Sequence, residues 1–500
     1  MNRNKAMLVN GTTSLVQQLV ILICGLIVPR LVLKTFGSSA NGMVSSVSQF
    51  ISITSLIQGG ITGASRVAFY APVARRDWNS ASVVYKTSQE FFHRFAAILS
   101  VYVFGLAIFY PIFVEIPFNR TDAFILILIL GIQSVAEYLF GITNQLLLFA
   151  DQKAYINTTL HIICTVFNAV VAVCLINSGA SLIVVKFGSA MVFLIRPVIL
   201  AWIVKKNYPL DKSVEKDSSV LSQSKAALAK SIAFYVHSST DTIVITACLN
   251  VMWVSVYAVH RYVVGNVSNL VANVLGNTEA LFGQMIARNE TEQMKRDIPL
   301  YDLMSKMLSS IFFFTSYILI TPFIRIYTHG VTDIDYYQPV FALLLCAAEF
   351  VYCTSLTYNN VIMGAGHIKQ TQWISIVEAL INIGCSLVFV KTLGVIGVAL
   401  GTLLAFVFNT MANIIYMRKY IFDMSVKWIV KTYVVNIVAG VALSLVIRNF
   451  CDHYISGYVS FFVVAAITFA LVIATIVGAN FLFFGNETKF VLKKIAKRFI

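Results

Sequence analysis

The sequence predicts an all-α integral membrane protein of about 14 transmembrane helices, arranged as two six-helix bundles related by pseudo-twofold symmetry and two further C-terminal helices. Three observations predict it. About fourteen apolar stretches of roughly 20 residues or more follow one another from Leu8 to Phe484, and a hydrocarbon core about 30 Å thick takes about 20 apolar residues per helical crossing. Hydrophobic residues make up 58% of the chain and charged residues only 12%, against roughly 25% charged in soluble domains. Short phrases also recur between the two halves at a nearly constant offset.

Span 1 (8–34) follows a short basic start, Arg3 and Lys5, and its apolar run is much longer than a signal-peptide core, so it reads as a retained crossing. Gly25 and Pro29 in span 1, with Gly59, Gly60 and Gly63 in span 2 (38–65), permit bending or close helix approach. Spans 3 (91–114), 4 (122–150), 5 (154–178) and 6 (181–204) complete the first half. The longest polar interval, Lys205 to Lys230, is too short to bury a core of its own. Spans 7 (230–250), 8 (252–282), 9 (304–327), 10 (337–364), 11 (372–391) and 12 (394–417) form the second half, and spans 13 (428–449) and 14 (457–484) are appended. In the tail, Val491, Leu492, Ile495 and Phe499 share a face opposite Lys489, Lys493, Lys494 and Lys497, the pattern of a helix lying on the membrane surface. The expected organisation is an N-terminal six-helix bundle (1–206), a cytoplasmic linker (207–229), a C-terminal six-helix bundle (230–420), two additional helices (421–486) and a basic amphipathic cytoplasmic tail (487–500).

Transporters are often built from repeats that leave faint internal symmetry. Phe187-Gly188-Ser189, Phe193 and Lys205-Lys206 of span 6 align with Leu400-Gly401-Thr402, Phe406 and Arg418-Lys419 of span 12 at an offset of 213. Val47-Ser48-Gln49-Phe50 matches Val267-Ser268-Asn269-Leu270 at 220, and Asn168 meets Asn382 at 214. Three matches in the same order argue for a 6+6 duplication.

With the N-terminus inside, 28 of the 37 Lys and Arg fall in the expected cytoplasmic connections, Lys306 among them, and six on the other side. This asymmetry places both termini in the cytoplasm. The net charge of +15 then follows from topology and anionic lipid, with no need for nucleic acid. Seven of the eight cysteines lie inside apolar segments and none has a CxxC or Cys/His spacing, so they read as core thiols rather than staples or metal ligands.

The 6+6+2 plan, Pro29-Arg30-Leu31-Val32-Leu33-Lys34-Thr35-Phe36-Gly37, Ser239-Thr240-Asp241, Val254-Ser255-Val256-Tyr257 and the run Gly394 to Thr402 together resemble the polysaccharide (O-antigen/capsule repeat-unit) flippase family of the multidrug/oligosaccharidyl-lipid/polysaccharide (MOP) exporter superfamily. The resemblance covers essentially the whole chain. It implies two bundles around a central cavity, alternating access, and export of undecaprenyl-pyrophosphate-linked oligosaccharide repeat units from the cytoplasmic to the outer leaflet of the bacterial cytoplasmic (inner) membrane. No cofactor is implied. The implied partners are the lipid-linked oligosaccharide, the bilayer, and a polysaccharide polymerase with other assembly proteins.

A charge deep in a span usually faces a cavity or a partner, because burying it costs about 2.5 to 3.5 kcal/mol even on insertion scales. Arg196, about 13 Å from the cytoplasmic end of its helix and followed by Pro197, is the first candidate for the pyrophosphate, with an intrabundle ion pair as its alternative. Arg261, beside His260, sits in the helix where related lipid II flippases carry a cavity arginine. Lys186 and Arg30 are further candidates that also read as interfacial anchors, and Arg66 lies at the cytoplasmic mouth with Arg75 and Arg76. Arg30 does not fall in register with the first-span arginine of lipid II flippases and span 2 has no arginine at its middle, so lipid II is a poor substrate expectation. Asp241 and Glu378 are the candidates for ion coupling, with Glu137 and Glu349 also deep; His161 and His237 read as packing residues rather than proton carriers.

A multidrug or other ion-coupled exporter of the same superfamily is the alternative function. A membrane glycosyltransferase or polymerase acting on lipid-linked glycans stands behind it, because the outer connections are short. No P-loop, HExxH or nucleophile elbow is present, so the chain does not read as an enzyme.

Overall fold

A computed structural model describes residues 3–52, 55–116, 118–211, 213–217, 239–275 and 278–499. Among the described residues the chain is helical throughout, with no strand, and 11 helices are long and apolar enough to cross a membrane. It separates into two compact units, Met1–Ser255 and Val256–Ile500.

In the first unit, α1 (Arg3–Ile51) carries the first crossing and enters the second. Its break is at Gly37, whose φ of 84° lies where a residue without Cβ is at ease. α2 (Ser55–Arg75) continues the second crossing ten residues beyond the apolar stretch that marks it in sequence. α3 (Trp78–Phe113) likewise starts well before its apolar run. Asp77 caps it, accepting from the Ser80 amide at 3.1 Å and hydroxyl at 2.6 Å. These bonds hold the Asp77 carboxyl below the usual range. α4 (Arg120–Ala136) passes through a π turn (Glu137–Gly141) into α5 (Ile142–Ala150), so the fourth crossing is one helix with an irregular middle. α6 (Ala154–Asn177) and α7 (Leu182–Asn207) form a hairpin, and α1 packs on α6. The core gathers around Phe69, Phe92, Leu99, Leu126, Tyr138 and Leu147.

The start of the linker lies along one face of α3. Lys86 donates to Val214 O at 2.8 Å, Ser82 Oγ accepts from Asp211 N at 2.9 Å, and Thr87 Oγ1 accepts from Asp217 N at 3.1 Å. Residues 218–238, and with them His237, lie outside the described residues. α8 is described over 239–248, and α9 (Val251–Leu275) follows after a bend, its first residues belonging to this unit.

In the second unit, α10 (Thr278–Ala287) lies within the stretch that the sequence predicts as the end of span 8 and the start of the following connection. α11 (Thr291–Tyr327) starts thirteen residues before the predicted span 9 and packs against α12 (Pro339–Gly364), α15 (Val426–Tyr454) and α16 (Tyr458–Phe483). α13 (Ile368–Leu393) and α14 (Val395–Tyr420) make the tightest hairpin of the fold. Gly394 turns it with φ 58°, and a Cβ on Gly401 would stand 2.8 Å from the Ser386 amide nitrogen. α15 and α16 are joined by a reciprocal amide pair between the fully buried Asn436 and Asn480, at 2.9 and 3.2 Å. Their outer surfaces carry Leu445, Val446, Phe462 and Leu482, as contact with lipid requires. α17 (Gly485–Phe499) is the expected tail helix. Its Val491 is buried and its Thr488 hydroxyl donates to Asn480 O at 3.1 Å; side chains from 494 onward lie outside the described residues.

All eight cysteines are free thiols. Among the described residues no group of His, Cys, Asp or Glu has a metal-binding arrangement.

Candidate functional site

Two deep charges of the first unit, Arg196 and Glu137, meet where the π turn after α4 packs on α7. Ser181 caps α7, accepting from the Val184 amide at 3.5 Å, and the helix runs through Pro197 to Asn207. That course puts the Arg196 guanidinium 2.6 Å from Glu137 at the head of the π turn. Of the two readings of Arg196 left open by sequence, the ion pair is the arrangement found. The Glu137 carboxylate also accepts from Gln145 Nε2. Beside it, His161 Nδ1 on α6 lies 2.6 Å from Gln17 Nε2 on α1.

Lys186, almost three turns before Arg196 on α7, is half-buried, and among the described residues no carboxylate lies within 4.0 Å of it. Arg66 on α2 lays its guanidinium over the Phe149 ring at 4.2 Å, a cation–π contact, while its Nε is buried without a hydrogen-bond partner. Arg30 is half-buried on α1, directly after Pro29. The structure therefore brings Arg196 together with Glu137, and leaves Lys186, Arg66 and Arg30 at separate positions on α7, α2 and α1.

Asp241 is buried on α8, and a polar face formed by α8 and the start of α9 meets the second half of α1. Gln49 Nε2 donates to Ser239 Oγ at 2.5 Å, Ser46 and Thr246 hydroxyls lie 2.8 Å apart, and Asn41 Nδ2 donates to Ser255 Oγ at 2.7 Å. Gly42 permits this approach, since a Cβ there would overlap the Val251 carbonyl. The family-like phrase Ser239-Thr240-Asp241 is thus part of a hydrogen-bonded helix contact.

In the second unit, Arg261 on α9 forms an ion pair with Glu349 on α12. The guanidinium side chain stays 32% exposed while the carboxylate is 4% exposed, so the pair is open on the arginine side. Glu378 on α13 is buried and accepts from Asn409 Nδ2 at 2.5 Å, whose own carbonyl accepts from Asn413 Nδ2 at 2.7 Å. The Tyr352 ring on α12 lies within the electrostatic reach of Glu349, Glu378 and Arg261.

One charged group was misplaced by sequence reading. Lys306, counted as a cytoplasmic loop cation, is fully buried inside α11 and pairs with the equally buried Asp302 at 2.8 Å. It donates to Thr432 Oγ1 at 2.8 Å and sits 4.1 Å from the Tyr433 ring centre. Asp302 accepts from Tyr358 OH at 2.6 Å and Trp428 Nε1 at 3.2 Å. The i,i+4 spacing of Asp302 and Lys306 was the available signal. It was hidden because the predicted span starts at 304, which leaves Asp302 outside it and Lys306 at its edge, counted with the loop.

Near the linker, Tyr208 OH donates to Asp151 at 2.5 Å, and Lys153 bonds the same carboxylate at 2.7 Å. Burial and the Asp151 charge push the Tyr208 phenol well up. Asp211 is held below the usual carboxylate range by the Ser213 amide and hydroxyl.

No family model matches the chain, and no curated protein does. Solved structures do match. The chain is similar to the lipid II flippase MurJ in an inward closed conformation, at 14% identity and TM-score 0.71, over 95% of this chain and 98% of that one. It is also similar to a multidrug resistance MATE family transporter of the MOP superfamily in an inward-facing conformation, at 14% identity and TM-score 0.61, over 80% and 94%. The MATE multidrug transporter DinF-BH matches at 14% identity and TM-score 0.60, over 85% and 98%. At these identities the likeness is one of fold alone.

Proposed function

We propose that the protein is a flippase that carries undecaprenyl-pyrophosphate-linked oligosaccharide repeat units from the cytoplasmic to the outer leaflet of the bacterial inner membrane by alternating access, for the assembly of a cell-surface polysaccharide. The observation that carries this reading is the fold likeness to a lipid II flippase over 95% of the chain, against 80 to 85% for the multidrug transporters. A lipid-linked pyrophosphate needs fixed cations along a sheltered path. Arg196, Lys186, Arg30 and Arg66 in the first unit and Arg261 in the second are half-buried cations suited to it.

On this reading the organisation is the 6+6+2 plan, with both termini cytoplasmic. Arg196 and Arg261 take the pyrophosphate by exchanging their carboxylate partners, Glu137 and Glu349, for phosphate oxygens. A planar guanidinium suits that bidentate exchange better than an ammonium does. Buried Asp241 and Glu378 are the acids through which an ion gradient acts, since an acid at such depth is costly unless it titrates, binds a cation or is paired. The protein is then a transporter rather than an enzyme, working beside the polymerase that consumes its product.

In cells that depend on the chain for surface glycan, Arg196→Ala and Arg261→Ala together abolish glycan export while the protein stays inserted and abundant. Lysine at either position restores part of the export if bulk charge suffices. Normal export by the double alanine variant overturns the assignment of these two residues.

A further inference from the structure

The Glu137–Arg196 pair differs in kind from the fully buried pair Asp302–Lys306. Both members of the latter are 0% exposed and saturated with partners, whereas Arg196 and Glu137 keep 16% and 18% of their side chains open. An ion pair that is open can be exchanged.

Its surroundings are built around the carboxylate. Glu137 begins a π turn, the wider helical turn that recurs at functional sites. Gln145, two turns on, donates its amide to Oε1 while Arg196 holds Oε2. Gly141 leaves the carboxylate its room: a Cβ there would stand 2.7 Å from the carboxyl carbon. Arg196 from α7 and Gln145 from α5 face the carboxylate directly. From α3, His93 Nε2 lies 2.9 Å from the Leu139 carbonyl of the same turn. From α6, His161 lies within electrostatic reach of Arg196 and 2.6 Å from Gln17 Nε2. Among the described residues Glu137 is the one carboxylate within 4.0 Å of Arg196.

From this geometry we infer that Glu137 is a proton-binding site that controls Arg196, so that the guanidinium takes an anionic phosphate group when Glu137 gains a proton. The inference rests on the reading of Arg196 as an anion site and adds its regulation. A phosphate oxygen at Arg196 displaces the carboxylate that occupies it. Displaced, Glu137 has lost its cation and faces the bound phosphate as a like charge, and a proton on its carboxyl removes that repulsion. The proton comes from water and ends on a Glu137 oxygen. The neutral carboxyl still accepts from Gln145 at Oε1, and its new O–H faces the phosphate oxygen that displaced it as a donor. Anion binding and proton uptake are therefore linked, each promoting the other.

The test is binding of farnesyl pyrophosphate, a soluble polyprenyl pyrophosphate, to the full chain in nanodiscs from mildly acidic to mildly basic pH. The probe's own titration is common to all variants and cancels in ratios between them. Glu137→Gln mimics the protonated acid. It is expected to bind at least about tenfold more tightly than wild type at the basic end, the equivalent of one pKa unit of coupling, and equally at the acidic end. His161→Gln is expected to keep the wild-type pH dependence. Glu137→Asp, which keeps the charge but shortens its reach, is expected to bind more tightly than wild type at basic pH, and serves if the Gln variant does not fold. Arg196→Ala is expected to lose binding at every pH; binding undiminished by that change would remove the anion site itself. Loss with Arg196→Ala while Glu137→Gln and Glu137→Asp follow wild type, or bind more weakly, overturns the proton control and leaves the anion site standing. Loss of the pH dependence in His161→Gln overturns it as well, by moving the proton to the imidazole.

Discussion

A lysine with none of its side chain open to solvent needs a complete set of partners, and Lys306 has them: the Asp302 carboxylate, the Thr432 hydroxyl and the face of Tyr433. Asp302 is equally satisfied by Tyr358 and Trp428. Removing one charge strands the other, which costs about 3–5 kcal/mol, whereas replacing both by apolar groups of similar size is often neutral or better. Lys306→Met is therefore expected to lower the thermal midpoint of the purified protein sharply, and Asp302→Leu with Lys306→Met to recover most of the loss. A double variant as unstable as the single one would show instead that the Tyr358 and Trp428 donors, which lose their acceptor with Asp302, carry the cost. At this scale the sequence is a partial guide. The depth of Arg196, Arg261, Glu349 and Glu378 was legible from their place in apolar runs. Which acid meets which base was not, because pairing is set by helix rotation and by the π turn at Glu137, and neither leaves a mark in hydropathy. Lys306 was missed for a related reason: its helix begins in polar sequence, with Pro299 inside it.

The helices themselves were largely readable, since a stretch long enough to cross the bilayer must satisfy its own backbone and can only be helical. Their ends were not. α3 and α11 start thirteen residues before the apolar runs that mark them, because nothing obliges a helix to stop at the membrane surface. Glycines carry more information at this scale than hydropathy does. The Gly394 to Thr402 run, noticed as a family-like phrase, is the turn and contact face of the α13–α14 hairpin, where a Cβ on Gly397 would overlap the Phe389 carbonyl and one on Gly401 would crowd Ser386. Gly401→Leu is expected to reduce the yield of monodisperse protein several-fold, roughly the consequence of overpacking a tight contact by about 1–3 kcal/mol. Gly384→Leu on the same hairpin, where a Cβ would have no neighbour within 4 Å, is expected to leave the yield unchanged. Size-exclusion profiles of the two variants after identical expression check it, and equal loss in both would contradict the packing argument.

For the whole molecule, the number of long apolar stretches and the weak internal repeat were enough to reach the fold class, and the likeness to MOP-type structures agrees with it at 14% identity. The proposed substrate was less legible, because hydropathy and repeats report helices and not the few interior side chains that would meet a substrate. Two expectations belong to this scale. Single cysteines at Lys212 and Lys494 should be labelled from the cytoplasm and one at Asp333 from outside; labelling of positions 212 and 333 from the same side would overturn the orientation drawn from the Lys and Arg asymmetry. Asp241→Asn should slow transport or shift its pH dependence, most of all when the ion gradient is small. Stable Asp241→Asn protein that transports normally at every pH, with no gradient, would remove the coupling role.

The flippase reading is tested most directly by transport with purified protein in vesicles. A fluorescent undecaprenyl-pyrophosphate-linked oligosaccharide is placed in one leaflet and its arrival in the other is followed by membrane-impermeant quenching. Wild-type protein is expected to move the pyrophosphate-linked glycan well above protein-free vesicles, and to leave a cationic dye where it was. Movement of the dye with no movement of the glycan would contradict the flippase reading and identify a multidrug exporter on the same fold.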